Sequence, residues 1–261
     1  MSEIRPARSA LRWLTVGLAA GAGLAAATYA TYACVRWLRF GRSAPPTADE
    51  ADALLDQFMP AYDVVERRRI RVAAPADTVM AAASEFDIRR SPIIQAIFRS
   101  RAALLGGELE DPEEARRPRA LIAWAQSIGW RALAEVPGHE IILGTITQPW
   151  KVNPAFRAPG PEEYARFREP GYVKIIWTLR ADPTGEAASI FRHETRAWAT
   201  DPSARAIFRR YWAAFSPGIV VIRWLALGPI KREAERRASR GARAGEPHER
   251  PAAAPPLTSA P

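Results

Sequence analysis

Between Arg12 and Arg36 run 23 residues without a charge, WLTVGLAAGAGLAAATYATYACV. As a helix rising about 1.5 Å per residue, this segment can cross a hydrocarbon core of roughly 30 Å. Its alanines and glycines offer little area to bury against a globular core, which argues against a buried helix. Trp13 and Trp37 stand at the two ends, Tyr29 and Tyr32 near the second, with arginines outside them, the pattern of a span whose aromatic residues sit at the interfaces. The expectation is a single uncleaved membrane anchor over residues 13–35, carried on a basic segment 1–42. A cleaved signal peptide is the alternative, because Ala27-Thr-Tyr29 and Ala30 to Ala33 resemble processing triplets, and a lipid-modified Cys34 is a variant of it. The length of the run, and Thr31 and Tyr32 ahead of Cys34, speak for the anchor. Arg5, Arg8 and Arg12 are matched by Arg36, Arg39 and Arg42 across the span, so the side of the membrane stays open. Gly17 and Gly21, followed by Ala25, put small residues four apart on a face where two copies could pair as a homodimer.

The chain of 261 residues carries a net charge of +9, which invites a nucleic-acid reading until the charge is located. Residues 1–42 hold six arginines and one glutamate, and residues 231–261 hold seven basic and four acidic residues. Residues 43–230 are left with 24 basic and 23 acidic side chains, so a basic nucleic-acid face is not expected. One cysteine excludes an intramolecular disulfide, and three scattered histidines make no metal-ligand spacing. No metal or cofactor is expected.

Residues 43–53 read as a linker, and residues 239–261, rich in Ala, Pro and charge, as a disordered tail. Between them Tyr62 to Ala73 alternates like a half-exposed strand, and Thr78 to Phe86 suits a short helix. Residues 88–105 form a second helix with Ser91 as cap and Pro92 in its first turn. The acidic stretch Gly106 to Arg119 is a loop, and Leu121 to Ile128 a further short helix. Trp130 to Val136 and Glu140 to Gln148 make a hairpin around Pro137-Gly138. Tyr172 to Arg180 and Ala188 to Thr200 make another, turning at Asp182 to Gly185. Asp201-Pro202 opens a helix that Ser216-Pro217-Gly218 should kink or break before it resumes to Ala238. Strands followed by helices segregated to one face define an α+β fold, with a curved antiparallel sheet wrapped around a long carboxy-terminal helix.

Ile70-Arg-Val-Ala-Ala-Pro-Ala-Asp-Thr-Val79 followed by Phe86-Asp87 resembles the opening of the START-like, or SRPBCC, superfamily, which includes polyketide cyclase/dehydrase and lipid-transport proteins. Thr195-Arg196, Phe208-Arg-Arg-Tyr-Trp212 and Arg232-Glu-Ala-Glu235 look like the last strand and terminal helix of bacterial members. The likeness spans residues 54–238, and Met80 stands where relatives often have Trp. The resemblance implies a helix-grip fold with a deep cavity for a hydrophobic small molecule or lipid. With the anchor, it implies a location at the bacterial inner (plasma) membrane. It does not imply an enzyme, since function belongs to the site.

The strand Glu140 to Trp150 poses the site question. Ile142, Gly144, Ile146, Gln148 and Trp150 share one face, so either a helix crosses closely at Gly144 or the strand lines a cavity with Gln148 as polar group and Trp150 as wall. Trp177 and Tyr211 are further candidates for an apolar lining. Glu194 and Arg196 share a face of the last strand. Turned inward they would orient a ligand; turned outward they would be solvated cross-strand ion pairs, the reading favoured here. The expected ligand-binding set is Ile142, Ile146, Gln148, Trp150, Trp177, Glu194, Arg196 and Tyr211, with no catalytic residue assigned. Two alternatives stay open: a cyclase or aromatase-like enzyme using Glu194 or His193 to move protons in the same cavity, and an interaction domain that holds no ligand.

Overall fold

The computed structural model describes residues 5–107 and 119–245, except the side chains of residues 5–16, 18, 19, 22, 244 and 245. Of the expected loop Gly106–Arg119, residues 108–118 lie outside the described part, as do residues 246–261 of the expected tail 239–261, while residues 239–245 are not a disordered tail but continue the last helix. Helix α1 spans Arg5–Arg39, and a short helix α2, Ala53–Phe58, not anticipated from the sequence, starts at the last residue of the expected linker, with Asp52 accepting from the Leu55 amide at 2.8 Å. Strand β1, Val64–Val72, leads into α3, Ala76–Ser84, and after a 3₁₀ turn at Ile88–Arg90 into α4, Pro92–Leu105. Ser91 caps α4 with its hydroxyl and Pro92 occupies the first turn, as the sequence indicates. There follow α5, Leu121–Ser127, the hairpin β2, Arg131–Val136, and β3, Glu140–Thr147, the short β4, Phe156–Arg157, and α6, Pro161–Arg166. Strands β5, Val173–Gly185, and β6, Ala188–Ala199, then precede α7, Pro202–Gly245.

The strands pair antiparallel in the order β1-β6-β5-β3-β2, with β4 added to β3, as one curved sheet. The β5–β6 hairpin is longer than alternation alone suggests, because the ladder runs on through Asp182 and Pro183 to Gly185. A long terminal helix lies over this sheet, so the α+β, helix-grip architecture expected from the order of elements is the one observed.

Both faces of the sheet are covered. On the concave face, Ile141, Leu143, Trp177, Leu179 and Phe191 pack with α3 and with Leu227, Ile230 and Ala234 of α7. Nearer the start of α7, Val64, Val173 and Ala197 pack with Phe208, Tyr211 and Trp212. On the convex face, Ile142, Ile146 and Ile176 pack with Leu55 and Met59 at α2 and with Tyr164 of α6. Gly144 belongs to this layer: a Cβ there would stand 2.4 Å from Leu133 Cδ1 and 3.0 Å from Tyr164 Cε2. Close approach of Leu133 on β2, with Tyr164 of α6 beside it, is therefore the physical reason for the glycine.

Helix α7 is continuous through Pro217 and Pro229, so of the kink or break expected at Ser216-Pro217-Gly218 the break does not occur. Pro217 removes one backbone donor, but both ends of the helix are pinned, by Phe208 and Trp212 on one side and Ile230 and Ala234 on the other. In the turn that Pro217 loosens, the Tyr29 hydroxyl of α1 donates to the Ala214 carbonyl. The carboxy-terminal part of α1 thus docks on α7, with Arg209 donating to the Trp37 carbonyl and Phe40 edge-on to Phe208 at 5.8 Å. Farther back α1 is open: Leu24 is 72% exposed, and a Cβ added at Gly17 or Gly21 would meet nothing within 4 Å. By length and composition alone α7, over Pro202–Arg243, is also apolar enough to cross a bilayer.

Candidate functional site

The apolar stripe of α7 that faces the sheet runs Ala204, Phe208, Trp212, Ser216, Ile219, Arg223, Leu227, Ile230, Ala234, at steps of three and four. Two of these positions are polar: Ser216 sits within the first apolar cluster, and Arg223 falls where the apolar packing divides. The residues up to Ile219 belong to one cluster and those from Leu227 onward to another. The sheet changes character at the same level. On β1 the concave positions pass from Val64 through Glu66 and Arg68 to Ile70, and on β6 from Ala197 through Thr195 and His193 to Phe191. Register places Glu66 beside Thr195 and Arg68 beside His193, with Trp177 of β5 next to Thr195. A polar belt therefore crosses the concave face under α7, bounded by aromatic and aliphatic side chains at each end.

Within the belt, His193 Nδ1 lies 2.9 Å from the Thr178 carbonyl, so it is the nitrogen that carries the proton. Nε2 is left as an acceptor, 3.4 Å from the Thr195 hydroxyl. Burial, reinforced by the nearby charge of Arg223, holds the His193 pKa down to about 3. The ring is neutral at every physiological pH. Trp177 meets it edge-on at 5.9 Å and meets Trp130 at the same distance. Glu66 pairs with Arg36 of α1 through one oxygen and stands 4.0 Å from Arg68 through the other. Among the described residues Arg223 makes no hydrogen bond or ion pair, and its Nη1 is buried. The Ser216 hydroxyl and, on the concave face of β3, the Thr147 hydroxyl are likewise buried without a partner.

Two helices flank the space. On the β1 side α1 closes it through the Arg36–Glu66 pair. On the β3 side α4 closes it: Arg101 donates to the Tyr211 hydroxyl at 3.1 Å and to the Pro149 carbonyl at 2.9 Å, and Ile97 presses on Gly218. Ile93, Phe98 and Leu104 of α4 remain exposed. A cleft of about 1190 Å³ between β1, α3 and α7 is lined by Ile70, Phe86, Trp224, Leu227 and several arginines, including Arg68 of the belt.

The eight residues expected to form the site are divided by the sheet. Trp177, Trp150 and Tyr211 lie on the α7 side, Trp150 and Tyr211 in one cluster and Trp177 in the other. Ile142 and Ile146 point the other way, into the layer beneath α2 and α6. Gln148 follows the end of β3, and its amide donates to the Gly171 carbonyl at 2.8 Å, fastening two loops. Glu194 and Arg196 are also convex, but they are not solvated: they are 6% and 1% exposed. Arg196 donates to Glu194 at 2.7 Å and to the Met59 carbonyl at 2.7 Å, and pairs with Asp56; Arg67 holds the other oxygen of Glu194 at 3.0 Å. Helix α2 turns the expected solvated face into a buried one. Glu66, Arg68 and Arg223 were not anticipated. The available signal was Arg223 itself, the one charged residue between Phe215 and Ile230.

No family model matches the chain, and no curated protein matches it. Solved structures overlap with about two thirds of it. A conserved protein from Geobacillus kaustophilus is 10% identical, with 68% of this chain and 97% of that chain covered and a TM-score of 0.28. Norcoclaurine synthase of Thalictrum flavum is 14% identical, covering 67% and 95%, at a TM-score of 0.29. The ZhuI aromatase/cyclase from Streptomyces sp. R1128 is 14% identical, covering 67% and 94%, at 0.20. The overlaps are loose, and the helix-grip description rests on sheet order and on the placement of α7.

Proposed function

We propose that this chain is a membrane-tethered binding protein for a hydrophobic small molecule or lipid held between the concave sheet face and α7. One observation carries the reading: the apolar core beneath α7 is split by a belt in which the buried Arg223 Nη1 lacks a partner. Buried polar atoms without partners cost free energy that a core serving only stability would avoid. Apolar walls with a few convergent polar groups are the make-up of a ligand site. The tether in this reading is the uncharged run of residues 13–35, which would keep the site close to membrane-dissolved ligand and raise its effective concentration.

The rival enzymatic reading has less to work with. Glu194 lies across the sheet from the belt, and a histidine with a pKa of about 3 is a weak base near neutrality. Native mass spectrometry of the full chain released from detergent tests the binding reading. A co-purifying hydrophobic molecule is expected, and its consistent absence from lipid-rich preparations would sink the reading.

A further inference from the structure

The belt beneath α7 holds three guanidinium groups and one carboxylate. Glu66 is already engaged through both oxygens, one by Arg36 and the other by Arg68 at 4.0 Å. Arg223 is attracted by Glu66 and repelled by Arg68 and Arg36, yet bonds to none of them. His193 is neutral and offsets nothing. A guanidinium presents a planar fork of donors, and here the side chain is half-buried with Nη1 shielded and unpaired, which costs free energy. The fold does not need a charge there. Four residues away on either side of the same stripe stand Ile219 and Leu227, and an apolar residue at 223 would join the two clusters into one core.

We infer that the occupant of the space beneath α7 is an anionic amphiphile, whose carboxylate or phosphate oxygens are received by Arg223 while its apolar body runs over Trp177 toward Leu143 and Trp130. This rests on the binding function proposed above and specifies its ligand. Two oxygens of such a head match the guanidinium fork. The Ser216 hydroxyl, two turns earlier on the same face, is free to donate a further bond. A neutral ligand would leave Arg223 unpaired, and a cationic one would be repelled. The cleft that shares Arg68 is lined, among the described residues, by seven arginines and three carboxylates, a surplus that draws anions toward the belt.

The test uses the full chain in neutral detergent and follows tryptophan fluorescence during titration with a long-chain carboxylate, the alkyl phosphate of equal length, and the alcohol of equal length. At least one anion should bind the wild type about 10-fold or more tighter than the alcohol, and which anion does so separates carboxylate from phosphate. In Arg223→Met the anion-to-alcohol ratio should fall to near one with alcohol binding kept, and Arg223→Lys should retain part of it. Equal binding of anion and alcohol by the wild type, or a preference that survives in Arg223→Met, overturns the inference while leaving the binding function standing. Binding of neither anion nor alcohol removes both. Should Arg223→Met not fold, the wild-type ratio decides by itself.

Discussion

The two faces of one sheet treat arginine in opposite ways. On the convex face each buried arginine has carboxylate company: Arg196 has Glu194 and Asp56, Arg67 has Glu194, and Arg180 and Arg192 share Asp182. Helix α2 lies over this network and takes part in it through Asp56 and the Met59 carbonyl beyond its end. On the concave face Arg223 is half-buried, its Nη1 shielded with no acceptor, in a belt where arginines outnumber carboxylates. Paired charges of the first kind hold α2 to the sheet. The unpaired charge of the second kind adds no ion pair to the fold, and the anionic ligand proposed above would give it a partner.

The largest expected effect comes from breaking the convex network. Arg196→Met strips Glu194 and Asp56 of a partner in a buried setting and should destabilise the fold by about 3–5 kcal/mol. Thermal unfolding of the full chain reads this, and a loss below about 1 kcal/mol would erase the contrast between the faces. Next comes Gly144→Ala. Its methyl would collide with Leu133 and crowd Tyr164, so a loss of about 1–3 kcal/mol is expected, smaller if α6 can shift outward. An unchanged melting temperature would show that α6 does not press on β3.

The third effect is one of slope with pH. Glu140 lies on the convex face against Asp52, its carboxyl accepting from Thr178 at 2.8 Å. Burial first, then the hydrogen bond and charge of Asp52, push its pKa up to about 8 from an ordinary 4.5. Because the folded pKa is the higher one, the folded state binds more protons between these values. Its contribution is fully present below about pH 4.5 and is lost as pH rises through about 8. Wild-type stability should therefore fall across that window, and Glu140→Gln should flatten this component of the curve. A variant with an unchanged slope would show that the two carboxyls do not share a proton.

Much of the fold was legible because its signals are local. Alternation marked β5 and β6, and Ser91 and Asp201 marked helix starts, the latter accepting from the Ser203 and Ala204 amides at 2.8 and 3.1 Å. Alternation also fixed which residues share a face, but it could not say what covers that face. That depended on α2 and α6, six residues each, too short to show a helical period. Without them Glu194 and Arg196 read as solvated, and the Ile142 face could be turned toward the cavity. Pro217 allowed either a kink or a break, and packing at both ends of α7 keeps the helix unbroken. Of the candidate site, the aromatic wall was visible in Trp150, Trp177 and Tyr211. The belt was not, because although Glu66 and Arg68 share a face of β1, only the passage of α7 above that strand brings Arg223 to them.

The most direct test of ligand binding beneath α7 is a crystal structure of the full chain with a long-chain bromocarboxylate, its bromine located by anomalous scattering. The bromine is expected between α7 and the concave face near Trp177, with the carboxylate within hydrogen-bond distance of the Arg223 guanidinium. Bromine found only on the exposed surface of α1 and α7, over a belt closed by its own side chains, would contradict the account.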